Sequence, residues 1–156
     1  MEQLENMESI EALQTELGQF LVSMMPVPWE KICFYADAAP DTASEWFAFI
    51  EKETGVICTQ ELFWKRFESY AVEKTDAVCK LLDLTELLYN AYVERFGQEK
   101  AWRTMYYTLQ SDGAVHIDLE YELPSGDMVE RRNAVYRRFF NCERKKSPKG
   151  KYPATE

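Results

Sequence analysis

The sequence predicts an α+β fold: an antiparallel sheet of about five strands packed by an N-terminal helix, a long central helix and a C-terminal helix. Three observations carry this. Long stretches repeat apolar residues at helical spacing, short β-rich runs lie between them, and Ser111-Asp112-Gly113 joins the last two runs into a hairpin. Asp-Gly between alternating segments is the strongest short-range hairpin signal, because Gly tolerates the positive φ that the turn requires. At 156 residues the chain can bury a core without disulfides or metal. A single domain is expected over residues 1–142, followed by a basic tail, 143–156, with too little to bury to stay ordered.

The elements follow in order. From Met7 to Met24, apolar residues fall at Met7, Ile10, Leu13, Leu17, Phe20, Leu21 and Met24, the three-and-four spacing of an amphipathic helix. Pro26-Val27-Pro28 ends it, since proline lacks an amide hydrogen and pushes the residue before it out of the helical region. Trp29 to Asp37 alternates Ile32, Phe34 and Ala36 against Lys31, Cys33 and Tyr35. Glu45 to Glu51 carries apolar groups on both faces, and Val56 to Thr59 is a short third strand, so the three make an antiparallel meander. Gln60 to Tyr70 is rich in aromatics and is open between a helical turn and a capping loop. Val72 to Phe96 is the central helix, with Val78, Leu81, Leu82, Leu88, Tyr92 and Phe96 on one face and Gly97 as its stop.

The hairpin spans Trp102 to Glu122. In its second arm Val115, Ile117, Leu119 and Tyr121 fall on the expected core face, and His116, Asp118, Glu120 and Glu122 fall on the outer one. Carboxylates side by side on a strand repel, so this stripe asks for a cationic complement. The alternative is that these residues simply solvate the outer face of a one-sided sheet; the charge pattern alone leaves both readings open. The last helix opens at Asp127 with Glu130 three residues later, the capping-box spacing, and Val129, Val135, Tyr136, Phe139 and Phe140 supply its apolar side.

Charge is unevenly placed. Residues 1–126 hold 9 Lys and Arg against 23 Asp and Glu, and residues 127–156 hold 9 against 4. An acidic body argues against direct nucleic-acid binding, which needs clustered cations, and favours a basic partner or solubility. Arg131, Arg132, Arg137 and Arg138 are expected to offset that body and to cover apolar surface with their stems. Cys33, Cys58, Cys79 and Cys142 form no C-x-x-C pair and are expected as reduced core residues rather than zinc ligands. The N-terminus lacks a basic n-region with a continuous apolar core, and no run of 18 apolar residues occurs, so a cytoplasmic protein without membrane contact is expected. His116 is the only histidine, and no phosphate-binding glycine loop, H-E-x-x-H or G-x-S-x-G is present. No enzymatic activity, cofactor or metal is therefore expected.

Met25-Pro26-Val27-Pro28-Trp29-Glu30-Lys31-Ile32-Cys33-Phe34-Tyr35-Ala36 resembles the YezG-like immunity proteins, the family that also includes the EsaG-type antitoxins. The shared pattern is Pro-Val-x-Trp-Glu-Lys followed by a strand with Tyr-Ala. Phe96-Gly97-Gln98-Glu99 leading into Trp102, the hairpin from Leu109 to Glu122, and Glu130-Arg131 with Tyr136 agree as well. The likeness covers roughly Leu17 to Asn141; the Gln60 to Tyr70 segment and the basic tail depart from it. The resemblance implies a small cytoplasmic α+β protein that binds and neutralises the toxin domain of a cognate secreted polymorphic toxin, often a nuclease, as a stoichiometric inhibitor. A nuclease presents a basic surface to its substrate, which an acidic sheet face can occupy. Contact is expected on Asp112, Asp118, Glu120, Glu122 and the edge around Glu45, with Trp102 or Tyr106 as an exposed aromatic anchor. The alternative is a regulatory or structural binding module without a toxin partner, its contact made by the aromatic segment or the tail. Oligomeric state is left open.

Overall fold

Prolines 26 and 28 end the first helix and pass the chain into a sheet whose strands follow the alternation of the sequence. In a computed structural model, which describes residues 2–67, 74–123 and 126–141, the elements are α1 (Glu2–Met24), β1 (Trp29–Ala39), β2 (Thr42–Glu51), β3 (Ile57–Thr59), α2 (Gln60–Arg66), α3 (Lys74–Phe96), β4 (Thr104–Gln110), β5 (Val115–Glu120) and α4 (Met128–Phe140). The five strands form one antiparallel sheet in the order β3-β2-β1-β4-β5. The expected α+β architecture is present. The expected helix start at Val72, the residue Tyr70, the Pro124-Ser125 turn, Cys142 and the 143–156 tail lie outside the described residues.

On one face, Ile32, Phe34 and Ala36 of β1 join Phe47 and Phe49 of β2 and Met105 and Tyr107 of β4. Above them pack Leu17, Leu21 and Met24 of α1 and Leu81, Leu84 and Leu88 of α3. The open choice at Gln60 to Tyr70 is settled over its described part by α2. Phe63 stands in a cluster of rings with Phe47, Phe49, Trp64 and Phe67, its centroid 4.7–6.2 Å from theirs. Burying several rings at once requires the helical turn that brings them to one side.

The second face is not left to solvent. Cys33, Tyr35, Trp46, Ala48 and Tyr106 lie beneath Val135, Tyr136 and Phe139 of α4. The N-cap of α4 is as the spacing predicts: the Asp127 carboxylate accepts the Glu130 N–H at 2.9 Å. Lys31 Nζ donates to the Phe139 carbonyl at 2.9 Å and holds the other end. Of the described cysteines Cys33 and Cys58 are buried, and burial pushes the Cys33 thiol up to about 12. Cys79, expected in the core, is exposed on α3.

On the first face helical cover runs out before the last strand. α3 lies over β1 and β2, and the Tyr107 hydroxyl of β4 donates to the Gln14 carbonyl of α1 at 3.1 Å. On β5, Ile117 and Leu119 pack against the core only in part. Val115 and Tyr121, expected in the core, are 49% and 61% exposed. Among the described residues no helix is long and apolar enough to cross a membrane.

Gly18 marks where α1 comes closest to the sheet. A Cβ there would stand 2.5 Å from the Tyr107 hydroxyl oxygen. Gly18→Ala would gain helix propensity of about 1 kcal/mol, but overpacking costs about 1–3 kcal/mol. A net loss of about 1 kcal/mol is expected in urea unfolding; a rise in the midpoint would show that α1 shifts freely.

Candidate partner-binding surface

Alternation along β5 puts His116, Asp118 and Glu120 on the face that α4 covers, and α4 supplies the cation the stripe calls for. Arg138 Nη1 donates to Glu120 Oε1 at 2.7 Å, Nη2 reaches Asp118 Oδ2 at 3.5 Å, and the guanidinium sits 3.9 Å from the centroid of the Tyr106 ring. His116 Nε2 lies 3.1 Å from Asp118 Oδ1. The complement is thus intramolecular. The Asp118 and Glu120 side chains remain 45% and 46% exposed, so solvent screens these pairs and each contributes at most about 1 kcal/mol. Two carboxylates share one arginine, and a negative surplus stays at the surface.

Two further expected contact residues, Asp112 and Glu122, lie on the same hairpin. Asp112 Oδ1 accepts the Ala114 N–H at 2.9 Å and shapes the turn, where Gly113 takes a φ of 94°. Glu122 is exposed, and its carbonyl accepts the Thr104 hydroxyl at 3.4 Å. Glu45 is not brought to them. It lies on β2, three strand spacings or about 14 Å across the sheet from β5.

Glu45 instead lines a cavity of about 380 Å³ between β1, β2 and α4, with Tyr35, Asp37, Trp46, Arg132 and Val135. Gln60 Nε2 donates to Glu45 Oε1 at 2.9 Å, and Gln60 Oε1 accepts the Phe47 N–H at 3.0 Å, so the first residue of α2 closes this part of the β2 edge. Glu45 Oε2 is buried and has no hydrogen-bond partner among the described residues. Burial pushes the Glu45 carboxyl up to about 7, while the Gln60 hydrogen bond and the Arg132 charge oppose the rise. Nearby, Glu61 accepts from Trp46 Nε1 at 3.2 Å and pairs with Arg132, tying α2, β2 and α4 together.

The aromatic anchors are corrected. Trp102 is fully buried, edge-on to Tyr89 of α3 with centroids 5.8 Å apart. Tyr106 is buried between Tyr35 and Phe139 and capped by Arg138. Both misplacements have one origin: α3 packs on one face of the sheet and α4 on the other, and the pattern within the hairpin does not show that. Of the segment Leu62 to Tyr70 offered by the alternative reading, the described apolar residues Leu62, Phe63, Trp64 and Phe67 also pack on the main core. Arg138 offsets the acidic body, as expected of the α4 arginines, by pairing with Asp118 and Glu120, whereas Val115 and Tyr121 are surface residues that sequence reasoning missed.

These features define an α+β domain whose acidic edge hairpin is clasped to a C-terminal helix. The chain belongs to the YezG-like immunity proteins, whose family model matches residues 10–147. Comparison with curated proteins gave no match. Membership assigns the chain an immunity role, with a toxin as its counterpart.

Proposed function

We infer that the chain is a non-catalytic, stoichiometric inhibitor of the toxin domain of a cognate secreted polymorphic toxin, a nuclease, and that it acts in the cytoplasm. The family match over residues 10–147 carries this reading. The acidic body supports a basic counterpart, because a surface built to hold phosphates attracts carboxylates over long range and speeds encounter. Asp112, Asp118, Glu120 and Glu122 are the groups assigned to that attraction.

The test is to recover partners of the tagged chain from its own lysate, identify them by mass spectrometry, and titrate the recovered toxin domain against the chain. Toxin activity should vanish at one equivalent, and binding should weaken as salt rises. The double variant Asp118→Asn, Glu120→Gln should bind tenfold or more weakly, with its urea midpoint changed little because the Arg138 pairs are exposed. Inactivation by far less than one equivalent would instead mean turnover. An unchanged affinity would remove the stripe from the contact.

A further inference from the structure

We propose that β5 receives an extended segment of the toxin as a sixth strand, apolar on the side facing α1 and basic on the side facing Asp118 and Glu120. This rests on the immunity reading above and adds the mode of recognition.

Among the described residues β5 is the last strand of the sheet and pairs only with β4. In an antiparallel pair, alternate residues turn both backbone groups away from the partner strand, so β5 carries a row of N–H and C=O groups directed outward. Beside that row runs a groove of about 620 Å³ between α1 and the hairpin, with Gly18, Val22, Leu109, Val115 and Ile117 among its walls. The exposed Val22 and Val115 lie on it, and Tyr121 continues the apolar row past the end of β5. An open edge with a half-covered apolar row is a template for another strand, and proteins commonly blunt such edges with lysine, proline or a bulge. Val115–Glu120 contains neither lysine nor proline, and its pairing with β4 is continuous.

Two features specify the occupant. The unpaired backbone groups are matched by an extended chain rather than a helix. On an added strand, residues of one parity would drop toward the groove while the others would stand beside His116, Asp118 and Glu120, where opposite charge stabilises and like charge repels. The fitting segment is therefore about six residues long, alternating apolar residues with Lys or Arg. A second copy of this chain fits less well, because pairing β5 with itself sets one acidic row beside another.

Backbone hydrogen exchange on the full chain, free and in complex with the toxin domain recovered in the pull-down, tests the proposal. Amides of alternate β5 residues should exchange readily in the free chain and slow by tenfold or more in the complex. Val115→Glu and Tyr121→Glu, both at exposed positions, should each weaken binding tenfold or more while the melting temperature of the free chain holds. A one-to-one complex without protection in β5 would overturn strand addition and leave the immunity reading standing. Protection of β5 already present in the free chain would overturn it in favour of cover by the chain itself or by a second copy. Failure to recover any toxin from cells that express one would overturn the immunity reading and this proposal with it.

Discussion

Trp102→Ala is expected to lower the unfolding free energy by about 3–5 kcal/mol, the range for truncating a large aromatic ring in a core. The indole is wholly shielded from solvent and stands edge-on to Tyr89, so α3 and the start of β4 meet through it. A close-packed core relaxes only in part into a vacancy of that size, so cavity and transfer costs add. Its N–H has no hydrogen-bond partner in the described structure, so Trp102→Phe removes no hydrogen bond and should cost less than half as much. Denaturant unfolding followed by far-UV circular dichroism checks both variants. A loss below about 1 kcal/mol for the alanine variant would mean that α3 collapses onto the site. A surface anchor would behave oppositely, losing affinity for the toxin while stability held.

Glu45→Gln is expected to change how stability depends on pH. The folded carboxyl, pushed up to about 7 by burial, titrates above the value of about 4.3 for an unfolded glutamate. Between those values the folded chain binds more protons than the unfolded one, so the contribution of Glu45 is full below about pH 4.3 and is lost as pH rises through about 7. Glutamine keeps the acceptor for Gln60 and cannot ionise. The variant should match the parent near pH 4 and exceed it at pH 8 by on the order of 2 kcal/mol, somewhat less than the full shift implies because the residue is not completely enclosed. Urea midpoints at pH 4.5, 6 and 8 give the comparison. Other carboxylates titrate in both proteins, so the difference between the two profiles is the quantity to read. Parallel profiles would show that the Glu45 carboxyl titrates alike in the folded and unfolded chain.

Helices α1, α3 and α4, the meander and the hairpin were visible because each announces itself within its own segment. Residues three and four apart share a helix face, residues two apart share a strand face, and Pro26, Gly97, Gly113 and the Asp127-Glu130 pair punctuate them. The apolar residues noted on both sides of β2 fit the cover that α3 and α4 give its two faces. The acidic row of β5 was legible in the same way, through alternation alone.

Local pattern stops at the order of strands and the placement of helices over them. β4 and β5 carry similar apolar rows, yet Tyr107 is buried and Val115 is not, because β4 lies inside the sheet and β5 ends it. Glu45 and Trp102 acquired their roles in the same manner, one from the α2 residue that closes its edge and the other from the helix that folds over it. The cation for Asp118 and Glu120 comes from Arg138, 20 and 18 residues away, and Glu61 meets Arg132 across 71. Periodicity speaks for neighbours along the chain, and burial and ion pairing depend on neighbours in space, so the elements and their faces could be read from residues alone while the edge, the anchors and the charge partners required the folded chain.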